Sequence, residues 1–275
     1  MYEEIRYEVE EPVATITFDR PERLNALTNR TVQELRHALA EAERDRRVVG
    51  IILTGAGRGF SAGMDMENLS RTASGTGRPS SVSALEANPG DPEMGSDFQV
   101  TFAYLLSIRK PLIAAVNGPC AGLGFSIALL CDLRFVSEKA IFTAAYSKRG
   151  LIAEHGTSWI LPRVVGPSRA LDLLWSSRKL DGVEAERLGV ANRVFAHERL
   201  LPETRAYLED LARNASPTSI RIMKQQVYRH LMLPLGAAMQ DANQLMAESL
   251  TRPDFKEGVA SFQERRPPRF GRVGE

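Results

Sequence analysis

The chain has little cysteine and little histidine: two cysteines, Cys120 and Cys131, and four histidines in 275 residues. The cysteines form no C-x-x-C pair, and the histidines (37, 155, 197 and 230) are scattered. That excludes a disulfide framework and a zinc site, and no metal is expected. Charge of one sign is also lacking. Lys and Arg number 35 against 34 Asp and Glu, a net charge of +1. Such a balance provides no field to capture nucleic acid or a membrane, so neither is an expected partner. No apolar run approaches the ~18–20 residues that span a bilayer. The N-terminus, MYEEIRYEVE, is acidic and strand-like, which predicts no secretory signal and a cytoplasmic, reducing setting. What is present is ordinary globular composition, 43% hydrophobic and 25% charged. At ~150 residues per domain the length permits one large domain or two modest ones.

Along the chain, residues 13–18 alternate Ala14, Ile16 and Phe18 with Thr15 and Thr17, the period of a half-buried strand. Thr28 is placed to cap a helix whose apolar face is Val32, Leu35, Leu39 and Ala42. Residues 48–53 form a continuous apolar run, as in a strand covered on both faces. Residues 70–96 are rich in Ser, Gly and Pro and predict a long flexible loop. A helix is expected next, with Phe98, Phe102, Leu105 and Leu106 on one face, ending at Lys110-Pro111. A buried strand follows over 112–116, then a Gly-rich turn that opens a helix, then a strand over 132–136. After residue 200 the pattern is helical: 201–213, 217–230, 235–250 and 255–263. The organisation read from this is a core over 1–200 and a helical region over 201–275.

Three glycine-rich signals stand in the first half. Gly59-Phe60-Ser61-Ala62-Gly63 matches G-x-S-x-G, the turn that exposes a hydrolase nucleophile. That turn needs a strand running straight into it, and here five residues, 55–59, intervene. Gly57-x-Gly59-x-x-Ala62 has dinucleotide-loop spacing without a convincing helix behind it. The third signal is a pair. Ser61-Ala62-Gly63-Met64-Asp65 follows one buried strand. Asn117-Gly118-Pro119-Cys120-Ala121-Gly122-Leu123-Gly124 follows another and opens a helix. Two such turns can each aim one backbone N–H at a shared point and form an oxyanion hole.

At these residues the sequence resembles the crotonase superfamily, the enoyl-CoA hydratase/isomerase family, over nearly its whole length. The resemblance rests on 20–27 (RPERLNAL), 59–65 (GFSAGMD) and 110–118 (KPLIAAVNG). Cys131-Asp132-Leu133-Arg134 and the C-terminal run from Phe262 through Arg265 to Phe270 also fit. It implies an α/β fold, a spiral of ββα units with a helical C-terminal trimerisation region. It implies an acyl-CoA substrate whose thioester oxygen is held by the N–H groups of Met64 and Leu123, beside Gly63 and Gly122. Arg23, Leu24, Ala26, Ala62 and Asp65 would lie near the coenzyme A. Phe262 or Arg265 would complete the adenine site, from this subunit or a neighbour. Coenzyme A is then part of the substrate, and no separate cofactor is expected. The expected assembly is a homotrimer or a dimer of trimers.

The sequence departs from a hydratase at two positions. Where hydratases of this family carry glutamates, this chain has Ser126 and Tyr146, neither of which can act as a carboxylate acid/base. One carboxylate remains in the neighbourhood, Glu154, in a Gly-Leu-x-x-Glu-x-Gly-Thr setting that resembles Δ3,Δ2-enoyl-CoA isomerases. The reading favoured is therefore double-bond isomerisation with Glu154 as single acid/base. Alternatives are an enoyl-CoA hydratase of fatty-acid β-oxidation and a catalytically silent acyl-CoA binding protein. Glu154 could instead cap the helix beginning near Gly156. His155 is expected to point away from Glu154, Tyr146 to line the acyl pocket, and both cysteines to be buried apolar groups.

Overall fold

A computed structural model describes residues 2–75 and 85–274. The elements run β1 (Ile5–Glu10), β2 (Val13–Phe18), α1 (Asn29–Arg44), β3 (Gly50–Gly55), α2 (Met66–Ala73) and α3 (Tyr104–Ser107). Next come β4 (Leu112–Val116), β5 (Pro119–Ala121), α4 (Leu123–Leu130), β6 (Leu133–Ser137) and β7 (Ile141–Thr143). Then follow α5 (Thr157–Val165), α6 (Pro167–Ser176), β8 (Leu180–Asp181), α7 (Gly182–Leu188) and β9 (Arg193–Phe195). The chain closes with α8 (Leu200–Asn214), α9 (Pro217–His230), α10 (Leu235–Ser249) and α11 (Pro253–Glu264). A six-stranded sheet has the order β1-β2-β3-β4-β6-β9 and is parallel except for the β1–β2 pair. A smaller sheet, β5-β7-β8, stands apart from it.

β2 is not half-buried as its alternation predicts. Its second face is covered by α8, where Leu200 and Leu208 pack on Val13, Ile52, Ile113, Ala115 and Phe135. The first face of the sheet packs on α1 through Leu35, Ala38, Leu39 and Ala42. Thr28 caps α1 as expected, its hydroxyl accepting from the Thr31 N–H at 3.1 Å. The buried Glu34 on that helix accepts the backbone N–H groups of Glu3 and Glu4 at 2.9 and 2.8 Å, tying the N-terminus down.

The expected loop over 70–96 starts inside α2 and, among the described residues, carries a 3-10 turn at Pro92–Met94. Its residues 76–84 lie outside the described residues. The helix expected through Phe98 and Leu106 is broken into a 3-10 turn, Ser96–Phe98, and the short α3. Asp91 explains part of this. It caps the 92–94 turn and takes an ion pair from Arg221 of α9, so the segment is held from outside rather than by its own periodicity. Beyond Leu200 the four helices follow the expected order. Among the described residues no helix is long and apolar enough to cross a membrane.

Candidate active site

The sheet delivers two turns to one place. β3 ends at Gly55, and the chain from Gly59 to Asp65 is then sewn to two neighbours. On one side the Ala62 N–H donates to Leu24 O at 2.9 Å, Leu27 N–H to Gly63 O at 2.7 Å, and Asp65 N–H to Leu27 O at 2.9 Å. On the other side Ser61 N–H donates to Pro119 O at 3.1 Å and Ala121 N–H to Ser61 O at 2.9 Å. Asn25 holds the base of this assembly. Its side-chain amide donates to Ala56 O and Gly59 O at 2.9 and 2.8 Å, while its carbonyl accepts from Arg20 N–H. Asn25 is buried with φ 55°, a conformation asparagine tolerates better than most residues. Asn25→Ala is expected to lower unfolding free energy by ~1–3 kcal/mol, since two buried carbonyls lose their donor. Chemical denaturation checks this, and an unchanged midpoint would refute it.

The resulting contact between turns is close. Gly63 has φ +95°, and a Cβ there would lie 2.8 Å from Ala121 O and 3.4 Å from Leu123 N. A Cβ on Gly124 would lie 2.8 Å from the Ser61 backbone oxygen. Glycine at both positions lets the first turn lie flat against the start of α4. Neither the Met64 N–H nor the Leu123 N–H donates to another group among the described residues. Leu123 opens α4, so its N–H has no partner within the helix. Both expected oxyanion donors are thus unpaired and carried on turns that touch.

Ser61 is not a nucleophile. It is fully buried, its hydroxyl donates to Asn25 O at 2.8 Å, and it accepts from Gly63 N–H. Asp65 is likewise committed. Its carboxylate pairs with Arg20 at 3.0 Å and accepts the Glu67 N–H at the start of α2. Burial pushes the Asp65 carboxyl upward, but the hydrogen bonds from Glu67 and Arg20 outweigh it and hold it below its ordinary value. Of the other expected coenzyme A neighbours, Arg23 is exposed and 3.9 Å from Glu67, and Ala26 O accepts from Arg20 at 2.5 Å. Leu24 has φ 50° and presents its carbonyl to Ala62. Phe262 and Arg265 sit at the end of α11, where Phe262 is 86% exposed.

Ser126 and Tyr146 meet. The Tyr146 hydroxyl bonds to the Ser126 hydroxyl and donates to Gly122 O at 3.1 Å. Thr157, the first residue of α5, closes the group, with its hydroxyl 2.8 Å from that of Ser126 and 3.3 Å from that of Tyr146. All three side chains are buried. Burial raises the Tyr146 phenol above its ordinary pKa, partly offset by its hydrogen bonds to Ser126 and Thr157, with the Glu154 charge a further raising influence. The Tyr146 hydroxyl is therefore used inside the protein. The sequence singles out Ser126 and Tyr146 but not Thr157, because no periodicity joins residues on α4, after β7 and on α5.

Glu154 lies on the turn before α5, with its side chain 36% exposed. Its backbone oxygen accepts the Thr157 N–H at 2.9 Å, but no side chain caps α5, whose N-cap is Gly156. The capping role is thus not the one its carboxylate plays. His155 does not point away. Its φ of 53° turns the ring back, so that Nε2 lies 3.8 Å from the Glu154 carboxylate and the ring packs edge-on against Phe102. Burial lowers the His155 pKa, opposed by Glu154, which favours the neutral imidazole. At 3.8 Å the contact is too long for a hydrogen bond. Cys120 and Cys131 are buried, as expected, and burial raises both thiols, that of Cys131 to about 12. Among the described residues no group of three or more His, Cys, Asp or Glu is placed to hold a metal ion.

The family model for enoyl-CoA hydratase/isomerase matches residues 8–272. A protein of Rhodobacter capsulatus named "Probable enoyl-CoA hydratase" is 34% identical over 269 residues, covering 98% of each chain. The crystal structure of an enoyl-CoA hydratase/isomerase from Mycobacterium paratuberculosis superposes with TM-score 0.84 at 29% identity, covering 98% of this chain and 99% of that one. The enoyl-CoA hydratase of Bacillus anthracis superposes with TM-score 0.85, covering 99% of this chain and 100% of that one. At 24% identity that last likeness speaks for the fold alone.

Proposed function

We propose, because the chain belongs to the enoyl-CoA hydratase/isomerase family, that this acyl-CoA enzyme moves the double bond of an enoyl-CoA thioester. The observation that carries the reading is the pair of unpaired N–H groups, Met64 and Leu123, on touching turns, with Glu154 on the turn before α5, whose first residue Thr157 bonds to Ser126 of α4. In a 3-enoyl thioester the Glu154 carboxylate removes a proton from C2. The electron pair passes into a dienolate, whose negative charge collects on the thioester oxygen. Two fixed N–H donors stabilise that charge, each worth ~2.7–4 kcal/mol. Glu154 then returns the proton at C4, leaving the double bond between C2 and C3. No water is activated, which suits a site where Ser126 and Tyr146 are turned into a hydroxyl cluster.

Hydration is the second reading, favoured by the names of the relatives. Turnover of 2-enoyl-CoA and 3-enoyl-CoA, side by side, decides between them. Conversion of 3-enoyl-CoA to 2-enoyl-CoA without hydroxyacyl product is the expected result. Hydroxyacyl-CoA as the main product would refute isomerisation, and no turnover of either would leave a silent acyl-CoA binder.

The assembly we infer is a trimer or a dimer of trimers. Met223, Val227, Met239, Phe255 and Phe262 on α9, α10 and α11 are exposed apolar groups, and apolar side chains gathered on exposed helices support an interaction face there. Light scattering is expected to show about three or six times the 30.4 kDa chain mass. A stable monomer at micromolar concentration would refute this. Arg23, Leu24, Ala26, Ala62 and Asp65 are proposed to contact coenzyme A, with Phe262 or Arg265 reaching the adenine. No further cofactor is proposed.

A further inference from the structure

The buried hydroxyls of Ser126 and Tyr146 converge on one carbonyl, that of Gly122, and the Thr157 hydroxyl stands behind them, bonded to both. Gly122 C=O and Leu123 N–H are the two ends of a single peptide unit, which is planar and conjugated. A donor on the oxygen therefore fixes the direction of the N–H. It also draws electron density from the nitrogen, making the N–H a stronger donor. The neighbouring constraint is as firm: the Gly122 N–H donates to Thr143 O at 3.1 Å.

We propose that Tyr146, with Thr157 and Ser126 behind it, is a positioning residue that orients and polarises the Leu123 N–H for the thioester oxygen. The inference rests on the oxyanion reading above. The three hydroxyls supply one proton each, and an ordering that uses all three ends on Gly122 O. Thr157 donates to Ser126, Ser126 donates to Tyr146, and Tyr146 donates to Gly122 O. Each link strengthens the next in a low-dielectric interior. Ser126 also reaches Gly122 O at 3.3 Å, the ordinary back-bond of a helical serine. The chain ends on the peptide whose N–H is left unpaired, and not on solvent. A cluster serving packing alone has no need to terminate there. It also links α5, which follows Glu154, to the donor at the start of α4, so the proton carrier and the charge acceptor share one rigid support.

The test is infrared spectroscopy of butyryl-CoA labelled with 13C at the thioester carbonyl, bound to the intact protein. This saturated thioester has no double bond to move. The wild type is expected to lower the carbonyl stretch on binding, and Tyr146→Phe to lower it less. Steady-state kinetics on the enoyl-CoA that the wild type turns over should show kcat falling about tenfold, part of the ~10²–10³ that losing a whole oxyanion donor costs. KM should stay within about twofold, since the interaction grows in the transition state. Thr157→Val should show a smaller change in the same direction, and Thr157→Ser should restore the wild-type frequency. If Tyr146→Phe does not fold, the two Thr157 variants decide by the same frequencies. A wild-type frequency in Tyr146→Phe and Thr157→Val, with only a lowered melting temperature, would overturn the proposal. No lowering in the wild type itself would overturn the oxyanion reading and this inference with it.

Discussion

Glu154→Gln is expected to reduce turnover by ~10²–10⁴, the usual worth of a positioned general base, while acyl-CoA binding changes little. The amide keeps the shape and removes the group that carries the proton between C2 and C4. The melting temperature should also hold, because the Glu154 side chain does not cap α5 and stands too far from His155 for a hydrogen bond. Its backbone contact with Thr157 survives the substitution. Rate and melting temperature measured on one preparation therefore separate two roles. An unchanged rate with a lowered melting temperature would remove Glu154 from the mechanism and place the silent binder ahead.

The second large effect is expected at Gly63. Alanine there would have to adopt φ +95° and place its Cβ 2.8 Å from Ala121 O and 3.4 Å from Leu123 N. Both neighbours are backbone, so no side chain can swing aside. Something must move, and either the Met64 or the Leu123 N–H is then misaligned. The expected loss in kcat is ~10²–10³, that of one oxyanion donor. A stability loss of ~1–3 kcal/mol should accompany it, the usual cost of a residue forced into a sparsely populated conformation. Kinetics and thermal denaturation check both. Wild-type kcat in a folded Gly63→Ala would show that the two turns are not the site of charge development. Glu154→Gln and Gly63→Ala fail in different ways. The first should leave the infrared shift of a bound thioester intact, and the second should abolish much of it.

Much of the site was legible in the chain itself. The turns at 61–65 and 117–124 announce themselves by glycine, because a backbone that must approach another backbone has to shed its side chains. Thr28 marks the start of α1, and Pro217 opens α9 where the helical pattern begins, since caps and first turns follow local chemistry. Ser126 and Tyr146 were visible as departures from a family pattern. Local chemistry could not show that they meet, nor that Thr157 joins them, because α4, the residue after β7 and the first turn of α5 are brought together only by the fold. The same limit explains β2. Its threonines alternate as on a half-exposed strand, yet α8, nearly two hundred residues later, covers that face. It explains His155 too. Neighbours in sequence usually diverge, but a left-handed backbone at that residue and the ring of Phe102 turn it toward Glu154. The sequence by itself determined where the chain turns and where its helices are capped, which depends on residues within a few positions. Tertiary structure alone decided which hydroxyls share a carbonyl and which strand faces are covered, because those depend on contacts between segments whose spacing along the chain carries no periodic signal.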